Sequence, residues 1–244
     1  MKLATAIVVA RGGSTRLPNK AMLPFGSSTL IGHKVRTLKQ CLRIGRVVVG
    51  SDSDAILAEA AAHGAETVKR SDYHCDERVC SANEMILNMV SLVDGGDDDV
   101  FVWAHPTNPL IRPETYDAAV DRFAAGLEFR FDSLMSVREE RRHAWFRDNP
   151  LNFTPHAVPH QTAAQLEPVL FQDGAIFIQT RARWLETAYF YGERPLHFPV
   201  PFDEGWDVDT RGDYEVAVSL AGNVFNASKQ RGQVTLESSL VPNR

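Results

Sequence analysis

Ala4–Lys20 reads ATAIVVARGGSTRLPNK, an apolar run rich in β-branched residues that stops abruptly at a basic, glycine-containing loop. The run fits a strand covered on both faces, the pattern of a parallel sheet with helices on either side. The loop sets Arg11, Arg16 and Lys20 around Gly12, Gly13 and Ser14. Glycines let backbone N–H groups approach a phosphate closely, and the cations neutralise it. Pro18 stiffens the loop just ahead of Lys20. Neither standard phosphate signature fits, because the loop is not GxGxxG and lacks the G-K-[ST] ending of a P-loop. A glycine-rich surface turn with solvated cations is the alternative reading.

Outward from this stretch, apolar runs alternate with amphipathic ones. The segments RVVVGSD, DVFVWAH, DSLMSV and GAIFIQ read as further strands. Between them STLIGHKVRTLKQCL, SDAILAEAAAHGAE, SANEMILNMVSLV and PETYDAAVDRFAAGL carry helical spacing, several with Ser, Asp or Pro where a helix begins. The alternation predicts an α/β domain with a doubly wound, mostly parallel sheet, whose ligands bind beyond the carboxyl ends of the strands. One domain over 1–227 and a polar tail over 228–244 are expected.

With 244 residues, 44% of them hydrophobic, the chain can bury one substantial core. A net charge of -5 gives no general reason to bind nucleic acid or an acidic membrane, so the basic loop points to a small anionic ligand. No secretory h-region and no long apolar span occur, which predicts a cytoplasmic protein. Cys41, Cys75 and Cys80 have no CxxC spacing and are expected to be reduced and incidental.

Near the other end lies DEGWDVDTRGDYEVAV. In an extended DVD the Asp207 and Asp209 side chains share a face and Val208 takes the other. Two such carboxylates repel unless a cation sits between them, and a hard divalent ion such as Mg²⁺ suits carboxylates, water and phosphate oxygens. The competing readings are solvated acids, or Asp209 capping a helix that starts near Arg211.

The loop ARGGSTRLPNK resembles the N-terminal signature of the sugar-acid cytidylyltransferases, especially the acylneuraminate (CMP-sialic acid synthetase) family. GSDSDAILAEAAAHGAETVKRS, HPTNPLI, DGAIFI and DVDT are similar to further blocks of that family, in order, from about Ala6 to about Val218. The resemblance implies a Rossmann-like nucleotidyltransferase fold and Mg²⁺-dependent transfer of CMP from CTP to the anomeric hydroxyl of a 2-keto-3-deoxy sugar acid, of sialic, legionaminic or pseudaminic type. It implies that Arg11 and Lys20 hold the triphosphate, with Ala10, Gly12, Gly13, Ser14 and Arg16 lining the same loop. Arg70 and Ser81 would read the cytosine, and Asp207 and Asp209 would bind Mg²⁺. Thr107 and Asn108 would sit on the sugar side, with Asp173 and Gly174 facing the acceptor. His105, at the end of its strand, is a further candidate for base or binding work.

This chain departs from the family in having Ala21 after the loop lysine in place of Asn, His105 in place of Gln, Ala82 in place of an acid, and Asp173 in place of Asn. It also lacks the family's basic residues ahead of the DGA turn. An eight-carbon sugar acid or another hydroxyl acceptor, a sugar 1-phosphate with another base, and a non-catalytic nucleotide or sugar-acid sensor are the alternatives. The charge-rich REERRH is expected to form a solvated rim. The resemblance also implies a homodimer joined by an arm within 128–170, where Trp145, Phe146 and Phe153 suit a buried contact.

Overall fold

The computed structural model describes residues 3–14 and 16–222. The tail expected over 228–244, and the last residues of the domain expected to end at 227, lie outside the described residues.

The chain runs β1 (Ala4–Val9), β2 (Pro24–Phe25), β3 (Ser28–Thr29), α1 (Leu30–Gln40), β4 (Ile44–Ser51), α2 (Asp54–Ala62), β5 (Glu66–Lys69), α3 (Asp72–Cys75) and α4 (Ala82–Ser91). It continues through β6 (Val100–Ala104), α5 (Pro113–Leu127), β7 (Ser133–Glu140), β8 (Trp145–Phe146), β9 (Asn149–Pro150), β10 (Val169–Thr180), α6 (Arg181–Thr187) and β11 (Pro195–Pro199). A final helix, α7, occupies 211–222.

Seven strands form one sheet in the order β11-β7-β10-β6-β1-β4-β5. Strand β1 is parallel to both neighbours, β4 and β6, and β5 and β11 extend the sheet in parallel at its two edges. Strand β10 runs antiparallel to β6 and β7, so the sheet is mostly parallel. The side-chain alternation of β1 explains its apolar sequence. Ala6 and Val8 join a core with Val35, Tyr116 and Phe123, whereas Ile7 joins a second core with Ile86, Met89 and Trp184. Helices therefore cover both faces, and each large side chain so buried contributes about 1.5–3 kcal/mol.

Two strands of this sheet escape the sequence pattern, as do the short hairpin strands β2, β3, β8 and β9. Strand β5, ETVK, is short and polar because it lies at a sheet edge, where one side has no partner. Strand β11, PLHFP, is bounded by prolines and takes the other edge, where a missing N–H is tolerated. The helix starts match the expected chemistry. Thr29 Oγ1 accepts from Gly32 N at 3.0 Å ahead of α1, and Ser81 with Glu84 forms a reciprocal capping box on α4. The cap of α7 is Thr210, whose Oγ1 accepts from Asp213 N at 3.3 Å while Asp213 Oδ2 accepts from Thr210 N at 2.7 Å. Asp209 is thereby released from the capping role considered for it.

Between β7 and β10 lies the segment expected to be an arm, carrying the β8–β9 hairpin. Trp145 and Phe146 are exposed there, and Phe153 is half-buried with its ring 5.3 Å from that of Trp145. No described helix is long and apolar enough to cross a membrane.

Candidate active site

The carboxyl ends of β1, β4 and β6 deliver three connections to one edge of the sheet, at the point where the chain passes to opposite sides of β1. The loop after β1 is pinned at its start. Ala10 N donates to Gly50 O at 3.1 Å and Gly12 N to Asp52 Oδ1 at 2.9 Å. A Cβ on Gly12 would lie 3.2 Å from Ser53 Cβ, so this glycine permits the close approach to the start of α2. Among the described residues nothing lies within 4 Å of a Cβ placed on Gly13, so none of their packing requires a glycine there.

The cations of this loop turn inward to acids. Arg11 Nη2 lies 2.7 Å from Glu77 Oε1, Arg16 Nη1 lies 2.7 Å from Asp209 Oδ2, and Lys20 Nζ lies 2.9 Å from Asp209 Oδ1. Lys20 Nζ also donates to the Val208 carbonyl at 2.9 Å. Val208 is fully buried beside Leu17, Phe25 and Leu30, which forces its neighbours Asp207 and Asp209 to the opposite side, as the alternation predicts. Val208 N donates to Thr107 O at 2.8 Å, tying the acidic segment to the turn after β6.

The two carboxyls are driven apart electrostatically. Burial raises the Asp207 pKa, a hydrogen bond with Thr107 opposes it, and the nearby charge of Asp209 raises it further. Burial also works to raise Asp209, but the hydrogen bonds and charges of Lys20 and Arg16 outweigh it and hold that carboxyl below the usual range. The pair suits a hard cation on two grounds. A metal ion would oppose both the desolvation and the lesser repulsion that push Asp207 up, and Mg²⁺ takes only one or two carboxylates when phosphate oxygens and water complete its shell. Among the described residues no cluster of three or more His, Cys, Asp or Glu offers an all-protein alternative.

Arg11, Ser14, Arg16, Lys20, His105 and Thr107 line a single cavity of about 150 Å³, with Ala10 and Ala21 in its wall. A neighbouring cavity of about 440 Å³ shares Arg11 and His105 and extends to Arg70 and Ser81. Arg70 is 2% exposed and has polar but uncharged partners: Asn88 Oδ1 at 3.0 Å, His74 O at 2.8 Å and Met85 O at 3.1 Å. Its Nη1 is buried without any partner. A buried, unpaired guanidinium N–H is costly and would be satisfied by an acceptor atom. The Ser81 hydroxyl is occupied by the capping box, donating to Glu84 Oε2 at 2.7 Å, although the residue lines the same cavity. Cys75 and Cys80 are free thiols in this wall.

His105 packs against the rings of Trp103, Phe177 and Phe190. Burial, and then the charges of Lys34 and Lys20, lower its pKa to about 4, so its imidazole is neutral at pH 7. A base that weak is poorly matched to proton abstraction at neutral pH, and a positioning role fits better. Asn108 is fully buried behind the turn, with Nδ2 donating to Asp173 O at 3.1 Å and Oδ1 lacking a partner. Asp173 Oδ1 accepts from the Ser136 hydroxyl and from Ala175 N, while Oδ2 is buried and unpartnered; burial raises the carboxyl pKa. The turn expected at Asp173 and Gly174 is instead part of β10, and Gly174, with φ +73°, takes a left-handed conformation at the irregularity in the pairing of that strand with β7.

Two residues of this region are not among the sequence candidates. Lys34 is fully buried, donating to Asn108 O at 2.7 Å and to the Tyr116 hydroxyl at 2.6 Å, and burial lowers its pKa to about 7. Its position within the apolar stripe of α1, four residues after Leu30 and four before Leu38, is the signal that reveals it. The second is Arg138, the first residue of REERRH. Strand β7 continues to Glu140, which places Ser136, Arg138 and Glu140 on one face. Glu139, Arg141, Arg142 and His143 are exposed as a rim, but Arg138 lines a third cavity, of about 250 Å³, together with Asp173 and Asp207. The expectation of a solvated rim is therefore corrected for Arg138.

Residues 5–192 match a family model described as cytidylyltransferase. A pseudaminic acid cytidylyltransferase from Campylobacter jejuni subsp. jejuni is 23% identical over 218 residues, covering 88% of this chain and 94% of the relative. An N-acylneuraminate cytidylyltransferase from Escherichia coli O18:K1:H7 is 25% identical over 219 residues, 88% of this chain and 51% of that protein, so the chain spans about half the length of this relative. A 3-deoxy-manno-octulosonate cytidylyltransferase from Chlorobium chlorochromatii is 36% identical over 122 residues, 49% of this chain and 45% of the relative. Among solved structures, a CMP:2-keto-3-deoxy-manno-octonic acid synthetase complexed with CTP superposes with TM-score 0.63 at 17% identity, over 91% of this chain and 99% of that one. A 4-diphosphocytidyl-2C-methyl-D-erythritol synthase from Anaerococcus prevotii does so with TM-score 0.61 at 11% identity, over 91% and 96%. At these identities the structural likeness concerns the fold.

Proposed function

The chain belongs to the cytidylyltransferase family, and from that premise we propose that it transfers CMP from CTP to the anomeric hydroxyl of a 2-keto-3-deoxy sugar acid. The observation that carries the proposal is the meeting of Lys20 and Asp209 at 2.9 Å, which joins the basic loop to the segment carrying the paired carboxylates.

In this reading Arg11, Arg16 and Lys20 bind the triphosphate, exchanging their carboxylate partners for phosphate oxygens. Arg70 offers its unpartnered Nη1 to the carbonyl of the base. Asp207 and Asp209 would hold Mg²⁺, which when bound supplies charge neutralisation at the leaving pyrophosphate. The acceptor oxygen forms its bond to the α-phosphorus and the bond from that phosphorus to the bridging oxygen breaks. Pyrophosphate leaves with the electron pair, and the hydroxyl proton passes to a carboxylate or water of the cleft. Most of the rate then comes from positioning and from cations facing the developing charge. The use of CTP agrees with a cytoplasmic enzyme, and the exposed Trp145 and Phe146 suit a homodimer joined through the arm at 128–170.

A nine-carbon acid is the first reading for the acceptor. An eight-carbon acid is the second, favoured by the 36% identity to the 3-deoxy-manno-octulosonate enzyme over 49% of this chain. The test is pyrophosphate release with Mg²⁺, comparing CTP, ATP, GTP and UTP against a panel of eight- and nine-carbon sugar acids. Release with CTP alone is expected. Release with another nucleotide, or with none, would overturn the proposal.

A further inference from the structure

The two cavities beside the loop after β1 meet at a few shared residues. Val9, Ala10, Arg11, Glu77 and His105 line both of them, and of these Glu77 is the only acid. With the triphosphate in the cavity of Lys20 and the base in that of Arg70, the ribose of a nucleotide lies where the two join. The Glu77 side chain is 68% exposed there, with Oε1 2.7 Å from Arg11 Nη2. Among the described residues its Oε2 has no hydrogen-bond partner.

Local structure builds this placement. Helix α3 ends at Cys75 and α4 begins at Ala82. Cys75 and Cys80 are both buried, and Val79 N and Cys80 N donate to Asp76 O at 3.1 and 2.9 Å, which closes a tight turn between the two thiols. Glu77, Arg78 and Val79 are exposed on that turn. Arg78 folds back on Asp76, with Nε 2.8 Å from Oδ1 and Nη2 2.7 Å from Oδ2, while Glu77 reaches Arg11, 66 positions earlier. Once triphosphate oxygens take Arg11, the Glu77 carboxylate stands beside the ligand with oxygens that only accept. Repulsion from the phosphates makes that place costly unless donors of the ligand meet the carboxylate. Ribose hydroxyls are such donors, and an acidic side chain on the 2′-hydroxyl recurs in doubly wound sheets that bind dinucleotides.

We propose that Glu77 is a specificity-determining residue that accepts hydrogen bonds from the ribose hydroxyls of the nucleotide, so that the site selects a ribonucleoside over a 2′-deoxyribonucleoside triphosphate. The inference rests on the CMP-transfer reading, in its placement of the nucleotide, and adds a selection on the sugar of the donor. Binding exchanges the Arg11–Glu77 ion pair for a phosphate on Arg11 and a ribose on Glu77. A 2′-deoxynucleotide separates the pair in the same way but returns no 2′-hydroxyl, and the carboxylate is left short of a donor.

The experiment titrates the full chain with CTP, 2′-deoxy-CTP and UTP in the presence of Mg²⁺, for the native protein, Glu77→Gln and Glu77→Ala, and measures pyrophosphate release on the panel of sugar acids in parallel. The native protein is expected to bind CTP about 10- to 100-fold more tightly than 2′-deoxy-CTP, as hydrogen bonds to a charged acceptor predict. Glu77→Ala should narrow that ratio to about 3-fold or less by weakening CTP. Glu77→Gln, which keeps an acceptor oxygen without the charge, should fall between. A native protein indifferent to the 2′-hydroxyl, or Glu77→Ala with the ratio intact, overturns the inference and leaves CMP transfer standing. Equal tightening of CTP and 2′-deoxy-CTP in Glu77→Ala also overturns it, as the mark of a carboxylate that only competes with phosphate for Arg11. Loss of the CTP-over-UTP preference with the ribose preference kept overturns it too, because the carboxylate then lies on the base. The expected ratios without release on any acid uphold the ribose assignment and remove the transfer reading, whereas absence of CTP binding by the native protein removes both.

Discussion

Lys20 Nζ sits 2.9 Å from Asp209 Oδ1, across 189 positions of sequence. With side chains 15% and 34% exposed, the pair is partly screened by solvent and contributes little to stability. In the proposed reading its consequence is catalytic, because Asp209 is one of the two acids proposed for the metal. Asp209→Asn should lower turnover with Mg²⁺ and CTP by roughly 100-fold or more while leaving the melting temperature almost unchanged. A fully active variant would remove Asp209 from the site.

Gly50 packs directly against Arg70 and Met89. A Cβ there would fall 2.3 Å from Met89 Sδ and 2.8 Å from Arg70 Cδ, so the space under the arginine exists only for hydrogen. Gly50→Ala should destabilise the fold by about 1–3 kcal/mol and displace Arg70. Denaturant unfolding and a CTP titration together check this: affinity equal to that of the native protein would show that Arg70 does not read the nucleotide.

The buried histidines set an acid limb of stability. Burial lowers both His33 and His105 to about 4, from the usual 6.5. The unfolded chain therefore takes up protons first as the pH falls, so the contribution is intact above about 6.5 and is lost on the way down to about 4. The denaturant midpoint should fall across that window, and more shallowly in His105→Gln. An imidazole titrating near 6.5 by NMR in the folded protein would contradict the assignment for His105.

Lys34 acts at the alkaline side. Its folded pKa of about 7 lies below the usual 10.5, so the unfolded chain holds the extra proton in between and stability gains with rising pH. Lys34→Met, close in volume, should flatten the rise between about pH 7 and 10.5. Denaturant midpoints at successive pH values measure it, and an unchanged slope would mean that the lysine stays charged inside.

The proposed homodimer has a direct check. Replacing exposed Trp145 and Phe146 by Ser should convert a dimer to a monomer in sedimentation at micromolar concentration. A native chain that sediments as a monomer would leave these aromatics without that role.

Much of the site is readable from local sequence because its parts are short and periodic. The β1 run, the loop to Lys20 and the DVD alternation each depend on neighbours one to four residues away, and Val208 enters the core as that alternation requires. Lys34 was not among the sequence candidates, although its place in the middle of an apolar helical stripe is a local signal for it. Strands β5 and β11 are hidden by their edge positions, where polar residues and proline are tolerated.

Other features depend on contacts that no local pattern encodes. Arg138 belongs to a charge-rich stretch that reads as a rim, and only the continuation of β7 beside β10 turns it toward Asp173 and Asp207. Arg70 carries no sign in its neighbours that one of its N–H groups is buried and unpartnered. The capping of α7 by Thr210 leaves Asp209 available to Lys20. The sequence by itself determined the layered α/β order and the chemistry of the loop and acid pair, because backbone periodicity and residue type act over a few residues. The tertiary structure decided which cations meet which acids and which polar atoms stay open, because those depend on the packing of strands and loops far apart in the chain.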